Sequence, residues 1–428
     1  MNRTALCALL TAALTATAAA APLRTTAVDI GGAKLYAQSD DSALLAGVQF
    51  FVRAGLDREG PQQNGLAALS AETILSTPVD GMALRDAVAA RGGQLTATVG
   101  QHDVRFYVEA PPAALPAIAA LAAKALAAPD TSAGPVAAAR TTLAARIAEE
   151  ERNPVSVGLA MLRQSYYDGG GGMPVLGTNA SLAALRGSDV RAFVAAHYRS
   201  GGSLVTAVGR VTPDVTAAAR VLAATLPAGT EPLGITKVRP MAATPKRIVT
   251  QRDIGVTYVV LGFAAPAPGD RDFGPMLILR SLLADVFVRP SSTTLPSYAR
   301  AVGVMYAYDA KPASLALYIN GAQLSPSAGI GGVDAVLKSV AGKPFNASLL
   351  KRYKSSAHGE WQTETISLSD RAWSIGNFIE QGVDPDYAQT ALAAIDAATA
   401  ADVQRAAKAY LQHFTVALIS PRETPNTK

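Results

Sequence analysis

Arg91-Gly92-Gly93-Gln94-Leu95-Thr96-Ala97-Thr98-Val99 is the stretch on which the fold turns. Two glycines stand after the segment Leu84 to Arg91, where a short helix would need a stop. From Gln94 to Val99 polar and apolar residues alternate, and after a short break Val104 to Val108 alternate again. A period of two in neighbouring runs predicts a pair of antiparallel strands with one buried face. Helix, Gly-Gly stop and strand pair make one α+β unit.

Working outward, Leu45 to Ala54 reads as a strand, with Val48, Phe50 and Val52 alternating, and Leu66 to Leu75 as a helix. Beyond the strand pair come an Ala/Leu helix from Pro112 to Ala127 and a helix from Ser132 to Arg152, stopped before Pro154. Asp189 to Tyr198 is helical and Ser203 to Val208 a strand. A Pro/Gly-rich loop at 227–245 follows, and then the same order returns. Val256 to Phe263 reads as a strand and Phe273 to Val288 as a helix. Gly303 to Tyr308 and Ser314 to Ile319 read as paired strands, followed by two long helical stretches and a last strand, Thr415 to Ile419. Gly93 and Gly303, Tyr198 and Tyr410, and Asp57 and Asp270 all stand about 210 residues apart, a period too long for a solenoid. The expectation is an α+β fold of two homologous halves: an N-terminal domain at 21–226, a linker at 227–245 and a C-terminal domain at 246–428. Two unrelated α+β domains are the alternative.

Composition narrows the function. The 428 residues exceed one ordinary core. Much of the 49% hydrophobic content is alanine, which favours close-packed helices. The net charge of +5 is scattered, with no basic run, so no track for nucleic acid is expected. Residues 1–20 read as a signal peptide: Arg3 before an apolar region from Thr4 to about Leu14, then small residues at Ala18 to Ala21. That places the protein in the periplasm or outside the cell, with no membrane span after cleavage. The only cysteine, Cys7, falls in this segment, which leaves the mature chain without disulfides, thiolate ligands or a cysteine nucleophile.

The order of segments, with several local patterns, resembles the insulinase/pitrilysin family of zinc metallopeptidases, above all its mitochondrial-processing-type members. Asn64-Gly65-Leu66-Ala67 is similar to the Gly-x-Ala that precedes the family's metal motif. Arg91 to Ala97 is similar to its Gly-Gly-x-x-Asn-Ala. Phe193 to Tyr198 with Leu204 to Gly209 resembles the close of its first half, and Gly303-Val304-Met305-Tyr306 the Gly-Leu-Ala-Tyr of its second. The resemblance implies a His-x-x-Glu-His motif on the first helix, two histidines holding zinc and the glutamate serving as base. Here the matching positions are Ala68, Ala71 and Glu72, and no such motif or its inverse occurs anywhere in the chain. A distal glutamate ligand would fall among Glu149, Glu150 and Glu151, which read first as a solvated helix face. The resemblance further implies a backbone-gripping tyrosine at Tyr306, which also reads as a packed strand residue. The companion arginine position is Ala299, with Arg300 one residue on.

Other chemistry is sparse. His102, His197, His358 and His413 never stand three or four residues from one another and read as surface or capping residues. Ser348-x-x-Lys351 lacks its companion motifs. Gly169 to Gly172 reads as a surface loop or a hinge. The expected function is therefore a non-catalytic subunit with no cofactor. It would pair with a catalytic insulinase-type zinc peptidase, or with a second copy of itself, around peptide substrates. A scaffold or peptide-binding envelope protein without a protease partner is the alternative.

Overall fold

The computed structural model describes residues 23–30, 33–241, 246–287, 301–321, 326–343 and 345–422. The segment 1–20, Ala299 and Arg300 lie outside the described residues. Within them the fold is α+β: two mixed sheets packed against helices.

The strands leading to the first sheet are β1 (Thr25–Asp29), β2 (Lys34–Ser39) and β3 (Ala46–Val52). Next come helix α1 (Leu66–Ser76), a two-residue hairpin β4 (Pro78–Val79) and β5 (Met82–Ala83), and helix α2 (Leu84–Ala89). Gly92, at φ +75, takes the left-handed turn that closes α2, as the Gly-Gly stop requires. Strands β6 (Gln94–Val99) and β7 (Val104–Ala110) then pair antiparallel, Leu95 opposite Val108 and Ala97 opposite Phe106. Helices α3 (Leu115–Ala127), α4 (Ala133–Arg152), α5 (Pro154–Tyr166), α6 (Asn179–Ala184) and α7 (Gly187–His197) lead to β8 (Leu204–Gly209) and α8 (Pro213–Ala223). The sheet runs β1-β2-β8-β3-β7-β6, with β2 and β8 parallel and the other neighbours antiparallel.

The second sheet begins with β9 (Lys246–Arg252) and β10 (Thr257–Ala265), followed by helix α9 (Phe273–Val286), β11 (Ala301–Ala307) and β12 (Ala313–Gly321). Five helices follow, where two long stretches were expected: α10 (Pro326–Gly342), α11 (Ala347–Glu364), α12 (Leu368–Glu380), α13 (Tyr387–Ala397) and α14 (Ala400–Tyr410). Side-chain caps at Asn346, Ser367 and Thr399 start three of them and so divide the run. Strand β13 (Phe414–Pro421) closes the order β11-β12-β10-β13-β9, with β9 and β13 parallel.

Each sheet buries one face under the helices of its own segment, giving two large apolar cores. The other faces are covered by exchange. Helix α5, which precedes the second sheet in sequence, lies on that sheet at β10 and β13. Helix α12, which follows it, lies on the first sheet at β8 and β3. Both contacts depend on glycine. A Cβ on Gly158 of α5 would sit 2.4 Å from a methyl of Val260, and one on Gly376 of α12 would sit 2.1 Å from the ring of Phe51. Helix α5 was not expected, because Pro154 reads as a stop. It is the first residue of a new helix, where its missing N–H costs nothing, and the Asn153 side chain caps the turn from outside.

The 227–245 stretch, as far as it is described, is fastened to the segment before it. Thr230 pairs with Gly201 and Val238 with Tyr167. Arg53 donates to the Glu231 carbonyl at 3.0 Å, and Arg58 forms an ion pair with the Glu231 carboxylate at 3.0 Å. Gly169 to Gly172 begins at an exposed residue and turns inward. It forms a tight turn with Gly171 and Gly172 buried, and a Cβ on Gly170 would sit 2.3 Å from the Leu56 carbonyl oxygen.

Candidate functional site

Helix α1 carries the three positions that the sequence singles out. Every residue from Leu66 to Leu75 is buried, because β6, α4 and α7 all pack against the helix. Ala68 is 3% exposed and Ala71 2%, so both methyl groups are spent on packing. The Glu72 side chain points toward α2, where Arg85 Nη2 donates to its Oε1 at 2.5 Å. Two methyl groups supply no lone pair, and the single carboxylate is already neutralised by a guanidinium. This residue set does not fit a zinc ion, which takes three protein ligands and a water in a catalytic site. Among the described residues, no three His, Cys, Asp or Glu side chains are grouped to hold a metal ion.

Glu149, Glu150 and Glu151 occupy the last turn of α4 and are exposed. Partial desolvation of the carboxyl raises Glu150, with Arg146 opposing and Glu149 adding to the shift. Glu150 and Glu151 border a cavity, described below, rather than Glu72.

The N-terminus of α1 holds a carboxylate that sequence reasoning missed. Glu59 is 6% exposed and accepts from the N–H of Ala67 at 2.8 Å, of Gly65 at 3.0 Å and from the Asn64 amide at 3.4 Å. It caps the helix from six to eight residues upstream, too far for a capping-box reading. Burial pushes its carboxyl up to about 7, against the pull of those donors.

A second missed cluster joins residues distant in sequence. His102 Nδ1 lies 2.9 Å from Asp57 Oδ2, and Thr236 Oγ1 lies 2.7 Å from His102 Nε2. Hydroxyl, imidazole and carboxylate in line suit a nucleophile and base. However, Thr236 is only 8% exposed, and a Cβ on neighbouring Gly234 would sit 1.4 Å from Asp57 Oδ2. The trio is packed tightly and fastens the 230–238 strap to the turns of the first sheet.

Tyr306 sits on β11 beside a polar cleft of about 500 Å³, which it lines with Thr96, Thr98, Arg105, Tyr107 and Trp373 among others. Its ring packs against Phe273 at 5.5 Å and Tyr308 at 5.7 Å between centroids. Its hydroxyl donates to the Pro266 carbonyl, and burial raises it well above the usual phenol range. Thr96 and Thr98 belong to β6, which among the described residues is an edge strand of the first sheet.

No family model matches the sequence, and no curated protein matches it. Solved structures do. A protease from Helicobacter pylori superposes with a TM-score of 0.80 at 15% identity, covering 93% of this chain and 100% of that one. The inactive domain of an M16 peptidase from Pseudomonas fluorescens gives 0.79 at 15% identity, covering 94% and 99%. A chain of Complex III2 from Candida albicans, with Inz-5 bound, gives 0.75 at 15% identity, covering 93% and 96%. The chain thus matches structures of the M16 (insulinase) type over most of its length, and at this identity the likeness is one of fold. Among the described residues no helix is long and apolar enough to cross a membrane.

Proposed function

We propose that the chain is a zinc-less, non-catalytic subunit of insulinase type, exported through its 1–20 segment to the periplasm or cell exterior. There it pairs with a catalytic zinc peptidase and supplies one wall of a chamber for unfolded peptides. The observation that carries this reading is the burial of Ala68 and Ala71 at the two positions where a histidine and the base would stand, with Glu72 tied to Arg85. A coordination site cannot be reached there by a rotamer change, so any peptidase activity resides in another chain.

The proposal includes two homologous halves, 21–226 and 246–428. The sheet orders β2-β8-β3-β7-β6 and β9-β13-β10-β12-β11 correspond strand for strand, parallel pair included. The reciprocal covering of each sheet by α5 and α12 supports it further. Peptide would add as an extended strand to the edge of β6, which has no outer strand among the described residues and where backbone hydrogen bonds give affinity without demanding one sequence. Such a strand runs beside the cleft that Tyr306 lines, and with the hydroxyl engaged by Pro266 the ring face is the part left to contact it. Arg300 would be its companion.

The test is a pull-down of the tagged chain from its native envelope extract, with peptidase assay and metal analysis of the eluate. The reading expects a second chain bearing His-x-x-Glu-His at equal stoichiometry, with zinc and activity belonging to it. Elution alone, zinc-free and inactive, defeats it. The likeness to a chain of Complex III2 would then favour the second reading, a scaffold without a protease partner or a homodimer.

A further inference from the structure

Helix α5 covers β10 and β13 of the second sheet but leaves the side toward β12 and β11 open. The recess so formed is a cavity of about 560 Å³, within the range of roughly 300–1,000 Å³ typical of ligand sites. Its floor is kept low by small residues, Gly262 and Ala316. Its walls carry Met161, Met173, Met241 and Met305, four of the seven methionines in the chain. None of the four is fully buried, and Met305 is 46% exposed. Thioether side chains have three rotatable bonds and a polarisable sulfur, so a wall built of them adapts to guests of different outline. Leaving such a surface to water is unfavourable, in proportion to its apolar area.

The rim narrows the kind of guest. Glu150 and Glu151 border it on one side, and Arg163 and Arg252 also border it. A fatty-acid carboxylate would meet the arginines but also the two glutamates. Strand β11, which brings Met305 and Ala307 to the cavity, is the edge of its sheet among the described residues, so its outward amides have no strand partner. An acyl chain has no use for amides, whereas an extended peptide uses them and places every second side chain on one face.

We propose that the methionine-lined cavity between α5 and the second sheet holds alternate apolar side chains of an extended peptide running beside β11. This rests on the peptide-binding reading above but assigns a second site, apart from the β6 edge.

The experiment uses the full chain and a short fluorescein-labelled peptide, blocked at both ends and alternating leucine with serine, with binding followed by anisotropy. Ala316→Trp fills the floor of the cavity, and Ala160→Trp fills it from an exposed position on α5 that borders this cavity and not the Tyr306 cleft. Each should weaken binding at least about tenfold, the usual effect of closing an apolar subsite. Leu44→Trp, at a position 81% exposed elsewhere, should leave binding unchanged. Thermal melts identify any variant that has failed to fold, and Ala160→Trp carries the test if Ala316→Trp is one. Binding that neither cavity variant weakens overturns the inference and leaves peptide binding at the β6 edge intact. Laurate bound in place of the peptide overturns it in favour of an acyl chain. No peptide binding by the wild-type chain overturns it together with the peptide-binding part of the proposed function.

Discussion

At the residue scale, the loss of the metal motif was legible because it is a matter of identity: no arrangement of Ala68 and Ala71 coordinates a metal. What surrounds them was not legible, because partners such as Arg85 and the packing helices are fixed only by the fold. The surroundings set the outcome of an obvious experiment. The triple variant Ala68→His, Ala71→Glu, Glu72→His rebuilds the motif, but Ala68 and Ala71 are 3% and 2% exposed and Arg85 loses its partner. Overpacking costs about 1–3 kcal/mol per site, and an orphaned charge adds to it. The expected result is a melting temperature clearly below wild type and no zinc-dependent peptidase activity; a stable, active variant would contradict the packing described for α1. Glu59 makes a second prediction. Its carboxyl, ordinarily near 4.5, stands at about 7 in the folded chain. A raised folded value means the stabilisation is fully present below the unfolded value and is lost as pH rises through the folded one. Stability should therefore fall between about pH 4.5 and 7, by an amount on the order of 3 kcal/mol. Glu59→Gln should flatten that slope in urea unfolding curves taken across the window.

At the element scale, the strand pairs, the α1 and α9 helices and the closing strands follow from periodicity and glycine stops. The missed elements have identifiable causes. Helix α5 hides behind Pro154, whose two opposite meanings, stop and first residue, are separated only by the Asn153 cap. Strand β1 is exposed along most of its length and so lacks an alternating apolar signal. The glycines of the exchanged helices give a prediction in which two effects oppose each other. Gly→Ala in a helix interior gains about 0.8–1 kcal/mol from propensity alone. At Gly376 the added methyl would meet the ring of Phe51 at 2.1 Å, and at Gly158 it would meet Val260 at 2.4 Å, both partners fully buried. Overpacking of about 1–3 kcal/mol outweighs the propensity gain. Gly376→Ala and Gly158→Ala should both lower the urea midpoint, whereas Gly359→Ala on α11, which meets nothing within 4 Å, should raise it.

At the scale of the whole molecule, the exchange of α5 and α12 bears on whether the proposed halves can fold apart. Segments within one chain generally meet through modest, rather polar interfaces and move independently. Here the contacts between the two sheets' segments are of core quality. Leu162 of α5 packs with Val260, Ala417 and Ile419 of the second sheet, and Ala372 and Ile375 of α12 pack with Val208 of the first. The buried Thr206 hydroxyl also donates to the Ala372 carbonyl at 2.9 Å. Removing either segment would expose an apolar sheet face and an apolar helix face together. The chain should therefore unfold in one transition, although it is long enough for two. Both tryptophans serve as a local probe: Trp361 lies fully buried in the second core, and Trp373 sits on α12 beneath the guanidinium of Arg105. Tryptophan fluorescence thus reports the second core and its crossing helix, while far-ultraviolet circular dichroism reports the helices of both segments. Coincident urea transitions by the two signals are expected. A fluorescence transition displaced from the dichroism one would mean that the second core melts alone, and that the exchanged helices pack without coupling the halves.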